Sequence, residues 1–467
     1  MAVAVGAVLV AARWDYGALK RHAAAGPHMF QTEGCVTGSG GSTTAATQNA
    51  TTGAPAPSPG VGLSAWTTFD GSTLHNALLP GGGRFAVSWK FATGGSIVTT
   101  PAVVNGIVYA GSMDGCVYAL DATSGRLLWS FLANNQVMSQ PLVVGGTVYF
   151  GSGNKGMGTT PQGLVRGTGY SGLYALDAAT GEQKWYFGTL GEDMPTPAYQ
   201  NGVLYEAGGG KTFYAVSAAT GTLLWQAPLG SYVSMSSPTL VGDMAVFGGA
   251  DPYALVGVNI QTQRVAWTLP LPQAKSGVDD VTPAASGGVV YVQVPEGGTV
   301  VKRVVEMAVD AQTGKVLWQQ VLGTDDLNLL QRVLRQGDLR AYDGEETGLA
   351  TIVAGRLYVG SPALPYLWAL DARTGAVLWR GRLPQPVRTT PLVVGDHVYA
   401  TGNSLLLELD ASTGRLLRSQ TYNTFKEGSG IMIPCTTAGP ALIGGTLLLA
   451  GGDNGNTVIA TPLGGAA

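Results

Sequence analysis

Short apolar runs alternate with polar turn sequences along most of the chain, and the alternation recurs about every forty residues. One unit reads Ala102-Val-Val-Asn-Gly-Ile-Val-Tyr-Ala-Gly111, then Cys116-Val-Tyr-Ala-Leu-Asp121, then Leu127-Leu-Trp-Ser-Phe131. Valine- and tyrosine-rich runs of this kind suit strands buried between neighbouring sheets. A two-residue turn joins the first two strands of each unit: Asn105-Gly106, Gly145-Gly146, Asn201-Gly202, Gly242-Asp243, Gly287-Gly288, Ala354-Gly355, Gly395-Asp396 and Gly444-Gly445. Most of these residue types tolerate the positive φ that a tight hairpin requires. The third and fourth strands join through Asp-x-x-Thr-Gly, in which Asp bonds the turn backbone and Gly takes the left-handed position.

The pattern predicts an all-β propeller of eight four-stranded antiparallel blades over residues 84–463. Seven blades is the alternative, if the degenerate last unit forms no sheet. That last unit, Ala441 to Ala450 and Val458 to Ala460, ends without an outer strand, whereas Val87-Ser-Trp89-Lys-Phe91 precedes the first full unit as an orphan. Pairing the two completes the eighth blade and removes an open sheet edge.

The recurring Ala-x-Asp-x-x-Thr-Gly-x-x-x-Trp unit, clearest at 119–129, 175–185 and 369–379, resembles the tryptophan-docking motif of the PQQ-like propeller superfamily. That group includes quinoprotein alcohol dehydrogenases and outer-membrane assembly lipoproteins. The resemblance implies that Trp89, Trp129, Trp185, Trp225, Trp267, Trp318 and Trp379 each pack between adjacent blades, while Arg418 departs from the motif. Trp66 to Asp70 and His75-Asn76 resemble the lead-in that precedes the first blade in this superfamily. A quinoprotein's vicinal cysteine pair and haem-attachment motif are both missing from the sequence.

Both tight turns of a blade fall on one face of the disc, so the variable loops emerge on the other. The long inserts, 151–172, 294–302, 323–347 and 422–439, all belong to that variable face, where function is expected. Leu327 to Arg335 has helical apolar spacing and predicts a short cap helix. Asp193, Asp279, Asp280 and Glu427 are candidate oxygen ligands for a hard cation, against the alternative that they cap loops. Arg388, Asp325 and Asp326 are candidates to face a partner. His22, His28, His75 and His397 have no ligand spacing.

Composition narrows the setting. Only 12 % of residues are charged and the net charge is −3, against about a quarter charged in ordinary domains. No Lys/Arg cluster offers a footprint for nucleic acid. Residues 1–30 hold the apolar run Ala2 to Ala12, an anchor, remnant signal or assembly helix. Residues 31–83 are Gly/Ser/Thr/Pro-rich and predict a flexible stalk with the lead-in, and 464–467 form a tail. Ring closure makes blades one and eight neighbours and allows a Cys116–Cys435 disulfide, against the alternative of two buried thiols; Cys35 is left unpaired.

These features predict a non-catalytic scaffold that is secreted, surface-displayed or membrane-tethered. It would bind protein or further copies of itself through its variable face and N-terminal segment, with no cofactor. The alternative is a quinoprotein-type oxidoreductase binding PQQ and calcium.

Overall fold

The computed structural model describes residues 35–37, 65–66, 78–79 and 89–462, the last with gaps at 155, 161–162, 275–276, 298–301, 326–346, 403–404, 423–437, 444 and 452–456. The apolar segment 1–30, the expected helix at 327–335 and the insert core at 423–437 lie outside the described residues. Among those described, no helix is long and apolar enough to cross a membrane.

Eight sheets form the blades, seven running from inner to outer strand in chain order and the eighth taking its outer strand from the start of the ring. Blade one comprises Ala102–Val104, Ile107–Gly111, Cys116–Asp121 and Leu127–Leu132. The turn between its first two strands has φ of 51° at Asn105 and 77° at Gly106, the doubly positive pair that a primed turn demands. The eighth blade closes as the sequence predicts: Trp89–Ala92 pairs with Thr457–Pro462, Trp89 opposite Ala460 and Phe91 opposite Val458.

Six of the eight blades grip the next through an outer tryptophan. The indole Nε1 of Trp89, Trp129, Trp185, Trp267, Trp318 and Trp379 donates at 3.0 Å to the carbonyls of Ala122, Ala178, Ala218, Ala311, Ala372 and Ala411 respectively. The ring lies flat over the turn glycine, so a Cβ on Gly181 would stand 2.7 Å from Trp129. Asp121, Asp177, Asp310, Asp371 and Asp410 brace the same turns by accepting backbone N–H groups two or three residues ahead.

Trp225 is the exception among the described tryptophans of the motif. Its turn carries Gln263 in place of glycine, at φ 60°. At the corresponding glycines of the other turns a Cβ would stand 2.3–2.7 Å from the indole, and Gln263 carries one. No bond from Trp225 to the Ile260 carbonyl forms among the described residues, and the ring stacks on Phe213 at 5.6 Å.

The stretch expected as a free stalk is tied to the ring at three places. Ala65–Trp66 adds antiparallel to Val143 and Val144, and Leu78–Leu79 adds parallel to Leu442 and Ile443. Both additions lie along inner strands, near the tight-turn face. The third tie corrects the cysteine reading. Cys116 is bonded to Cys35, with Cα atoms 5.8 Å apart, and not to Cys435, which lies outside the described residues. The reason is local: Val36 donates its N–H to Tyr118 Oη at 3.2 Å, laying Cys35 over the start of the third strand of blade one. Of the long inserts, 151–172 forms a hairpin of Met157–Thr160 and Gly163–Arg166 on the variable face. In blade five the strands Val289–Gly297 and Lys302–Asp310 stay paired through the region expected as a loop.

Two stability predictions result. Gln263→Gly removes a left-handed non-glycine and frees the docking site, so it raises stability by about 1 kcal/mol; an unshifted denaturant midpoint refutes this account of blade four. Cys35→Ser, or reduction, removes a cross-link over 81 residues, worth about 4 kcal/mol by loop closure. Thermal unfolding with and without reductant measures the loss, and coincident curves would mean that the bond carries no stability.

Candidate functional site

The variable-face mouth of the central channel is built from the segments that enter each blade. A hydroxyl–amide belt links successive entries. Gly439 N–H donates to Thr100 Oγ1 at 3.0 Å, Gln140 Nε2 to the Thr100 carbonyl at 2.6 Å, Gln140 N–H to Thr196 Oγ1 at 3.0 Å, Thr196 N–H to Ser237 Oγ at 2.9 Å, and Ser237 N–H to Thr282 Oγ1 at 3.0 Å. The belt residues immediately precede the prolines that open the blades. Two residues earlier stand Val98, Met138, Met194, Met235, Asp280 and Arg388, in blades one to five and seven. Val98, Met138, Met194 and Met235 pack into one buried cluster. Only the axis brings four successive blades into contact, so this register points inward, and Asp280 and Arg388 share it.

Arg166 crosses the mouth. It ends the blade-two hairpin, and its Nη1 lies 3.3 Å from Asp279 Oδ2 at the entry to blade five. Its Nε lies 2.8 Å from Glu192 Oε1, close enough for an ion pair but out of line for a hydrogen bond. Its guanidinium also lies 5.8 Å from the Tyr232 ring centre. The backbone locks this placement. Glu192 N–H donates to the Arg166 carbonyl at 2.6 Å, Gly209 N–H to the Glu192 carbonyl at 2.9 Å, and Arg166 N–H to the Gly209 carbonyl at 3.1 Å. A Cβ on Gly209 would collide with the Arg166 carbonyl, which accounts for glycine there. The Asp279 carbonyl accepts N–H groups from Met235 and Ser236 at 2.9 and 2.8 Å, fixing blades four and five together.

One guanidinium faces three carboxyl groups. Burial alone would lower the Arg166 pKa, but Glu192, Asp280 and Asp279 more than offset it, and the side chain stays charged. Glu192 is fully buried, and that burial, only partly countered by Arg166, raises its pKa well above the carboxylate range. Beside it Asp193, pushed up to about 7 by burial, accepts from Thr189 Oγ1 at 3.1 Å and interacts with Glu206. Burial first and Asp193 second raise Glu206. Glu306 in blade five, pushed up to about 8 by burial, faces Gln293.

The structure thus brings Asp279 and Asp280 together around Arg166, sets Asp193 with Glu206 nearby, and leaves Arg388 on the inward register of blade seven. Among the described residues no three His, Cys, Asp or Glu side chains form a metal-holding group. Asp325 ends a strand of blade five, while Asp326 and Glu427 lie outside the described residues. Sequence reasoning missed Arg166, Glu192, Glu206 and Glu306. Glu206 did carry a signal, as a lone charge inside the strand Val203–Ala207.

A family model for the outer membrane protein assembly factor BamB matches residues 77–196, 169–341 and 301–467. The chain belongs to the PQQ-like propeller family. Within it, a tetrathionate hydrolase from Acidithiobacillus ferrooxidans is 30 % identical over 470 residues, covering 89 % of each chain. A BamB from Burkholderia pseudomallei is 26 % identical over 376 residues, covering 78 % of this chain and 84 % of its own. The quinohemoprotein alcohol dehydrogenase of Comamonas testosteroni superposes with a TM-score of 0.58 at 15 % identity over 86 % of this chain and 81 % of that one, a likeness of fold alone. The quinoprotein alternative needs carboxylate oxygens free to hold calcium at the channel mouth. Asp279 is committed there to Arg166, so the described residues do not fit PQQ and calcium.

The buried carboxyls make stability depend on pH. Asp193, Glu192, Glu206 and Glu306 keep protons in the fold that the unfolded chain loses above about pH 4. Stability therefore falls as pH rises from there through about 7 for Asp193 and about 8 for Glu306. Asp410 acts oppositely: hydrogen bonds from Ser412 and Thr413 draw it down to about 2, and its contribution is lost as pH falls from about 4 toward that value. Thermal unfolding should peak near pH 4 and fall by pH 8, and Glu306→Gln should flatten the fall. A maximum at pH 8 contradicts this.

Proposed function

We propose that this propeller is an extracytoplasmic hydrolase of tetrathionate or a closely related polythionate, acting at the variable-face mouth. The near full-length similarity to a tetrathionate hydrolase supports the reaction class. The observation that carries the reading is the half-buried Arg166, set across the mouth among Glu192, Asp279 and Asp280. The Cys35–Cys116 bond supports an oxidising compartment, as does the kinship with outer-membrane assembly factors.

Tetrathionate is a chain of sulfur atoms with a sulfonate at each end, a dianion that Arg166 and Arg388 suit. Hydrolysis needs a water oxygen to bond to one sulfonate sulfur while the adjoining sulfur–sulfur bond breaks, its electron pair leaving on the sulfane sulfur. The water's proton needs a base, and Asp280 on the inward register supplies one; its Oδ1 makes no hydrogen bond among the described residues. The departing sulfur needs a proton, and Glu192, held protonated by burial beside Arg166, supplies it. Water in and one proton passed each way balance the step.

Purified protein should consume tetrathionate in mild acid, followed by ion chromatography of the sulfur oxyanions. Asp280→Asn should lower kcat about a thousandfold, and Arg166→Gln should lower kcat/KM about a hundredfold. Either variant retaining full activity removes this mechanism. The BamB kinship favours a second reading, a protein-binding scaffold. A folded wild type inactive on every polythionate, yet binding a protein partner stoichiometrically, would establish that reading instead.

A further inference from the structure

The mouth has two unlike halves. Arg166, Asp280 and Arg388 carry charge around one side, while blades one to four place Val98, Met138, Met194 and Met235 at the inward register, each between 1 % and 5 % exposed. Met113, partly buried, packs against the same cluster. The chain has 10 methionines in 467 residues, and four of them meet here. Packing alone does not ask for that concentration. The same register accepts valine in blade one, and leucine or isoleucine would fill such a level with less loss of side-chain entropy.

Thioethers differ from those hydrocarbons in being polarizable while carrying no strong donor. They make close dispersion contacts with other large, soft atoms and adapt their shape to what they hold. They do not solvate a sulfonate, so an anionic end group is driven to the arginine side.

We propose that Met138, Met194 and Met235, flanked by Val98 and Met113, form the subsite that receives the sulfane sulfur atoms of the substrate and sets which polythionate chain lengths are accepted. This inference rests on the hydrolase reading above. The charged half would orient a sulfonate at the reacting end, and the thioether half would hold the neutral sulfur atoms next to it. Each added sulfane sulfur then gains contacts on the methionine side without changing the charged contacts. The flexible side chains shift to admit it.

The test is chain-length selectivity. Met138→Leu, Met194→Leu and Met235→Leu conserve volume and polarity, and are made singly and together. Trithionate, tetrathionate and pentathionate carry one, two and three sulfane sulfurs. In the triple variant kcat/KM should fall less than about twofold for trithionate and about tenfold or more for pentathionate, with tetrathionate between. A purely structural role for the methionines would lower all three substrates by one factor, and that outcome overturns the subsite. So does an unchanged ratio in a folded variant. If the triple variant does not fold, the Met194→Leu variant must still reduce the pentathionate-to-trithionate ratio, or the proposal fails. A wild type inactive on all three removes the hydrolase reading itself, and the subsite with it. A wild type active on them whose variants keep its selectivity removes the subsite alone.

Discussion

The indole that donates to a carbonyl of the next blade, while lying flat on that blade's turn glycine, is the contact on which the ring depends. Each blade alone exposes two apolar faces and two edges, and it becomes stable only when the next blade covers it. A flat aromatic ring with one polar atom suits this work. It buries a large apolar area, and its single N–H is satisfied by an otherwise idle turn carbonyl. Because the acceptor is always the residue after the turn's Asp or its substitute, the bond also sets how far each blade is rotated about the axis. Blade four departs from the rule: its turn carries Gln263 where the others have glycine, and Trp225 makes no bond to that turn's carbonyl among the described residues.

Fixing rotation at the rim fixes register at the axis. The hydroxyl–amide belt from Gly439 through Thr100, Gln140, Thr196 and Ser237 to Thr282 closes only if successive entries stand at one height. With that height set, the residue two positions before each belt member must point into the channel. A linear repeat is thereby converted into a ring of inward side chains whose chemistry varies independently of the fold. Arg166 then requires a device outside the repeat. The hairpin at Met157–Thr160 and Gly163–Arg166 carries it from blade two across to Asp279, and close backbone approach at Gly209 lets it pass.

The repeat-borne features were legible in the sequence because each is written locally. Turn pairs such as Asn105-Gly106, the Asp-x-x-Thr-Gly joint and the orphan strand at Trp89 each state their own geometry, and copies corroborate one another. The site was legible in part. Asp193, Asp279, Asp280 and Arg388 were placed at the mouth by counting strands, but their partners are long-range. Nothing adjacent to Arg166 in sequence points to a residue 113 positions away. The cysteine pairing failed for the same reason. The stalk was read as flexible from its composition, whereas two-residue strands and one disulfide tie the stretch down with too few residues to leave a periodic trace.

The sparse charge of the chain and its buried carboxyls follow from one constraint. A propeller with 26 Lys and Arg and 29 Asp and Glu loses most of its negative charge in acid, and self-repulsion among the remaining cations then opposes compactness. Holding charged residues to 12 % of the chain limits that repulsion. A fully buried Glu206 or Glu306 would be a liability at neutral pH, because an unpaired carboxylate is costly to desolvate. In acid each is a neutral hydrogen-bonding group that packs like an amide. Asp410 remains ionised under the same conditions because backbone and hydroxyl donors in its turn hold it. Glu206 and Glu306 are thus neutral in the core while Asp410 stays ionised in its turn, and both conditions hold together on the acid side of neutrality.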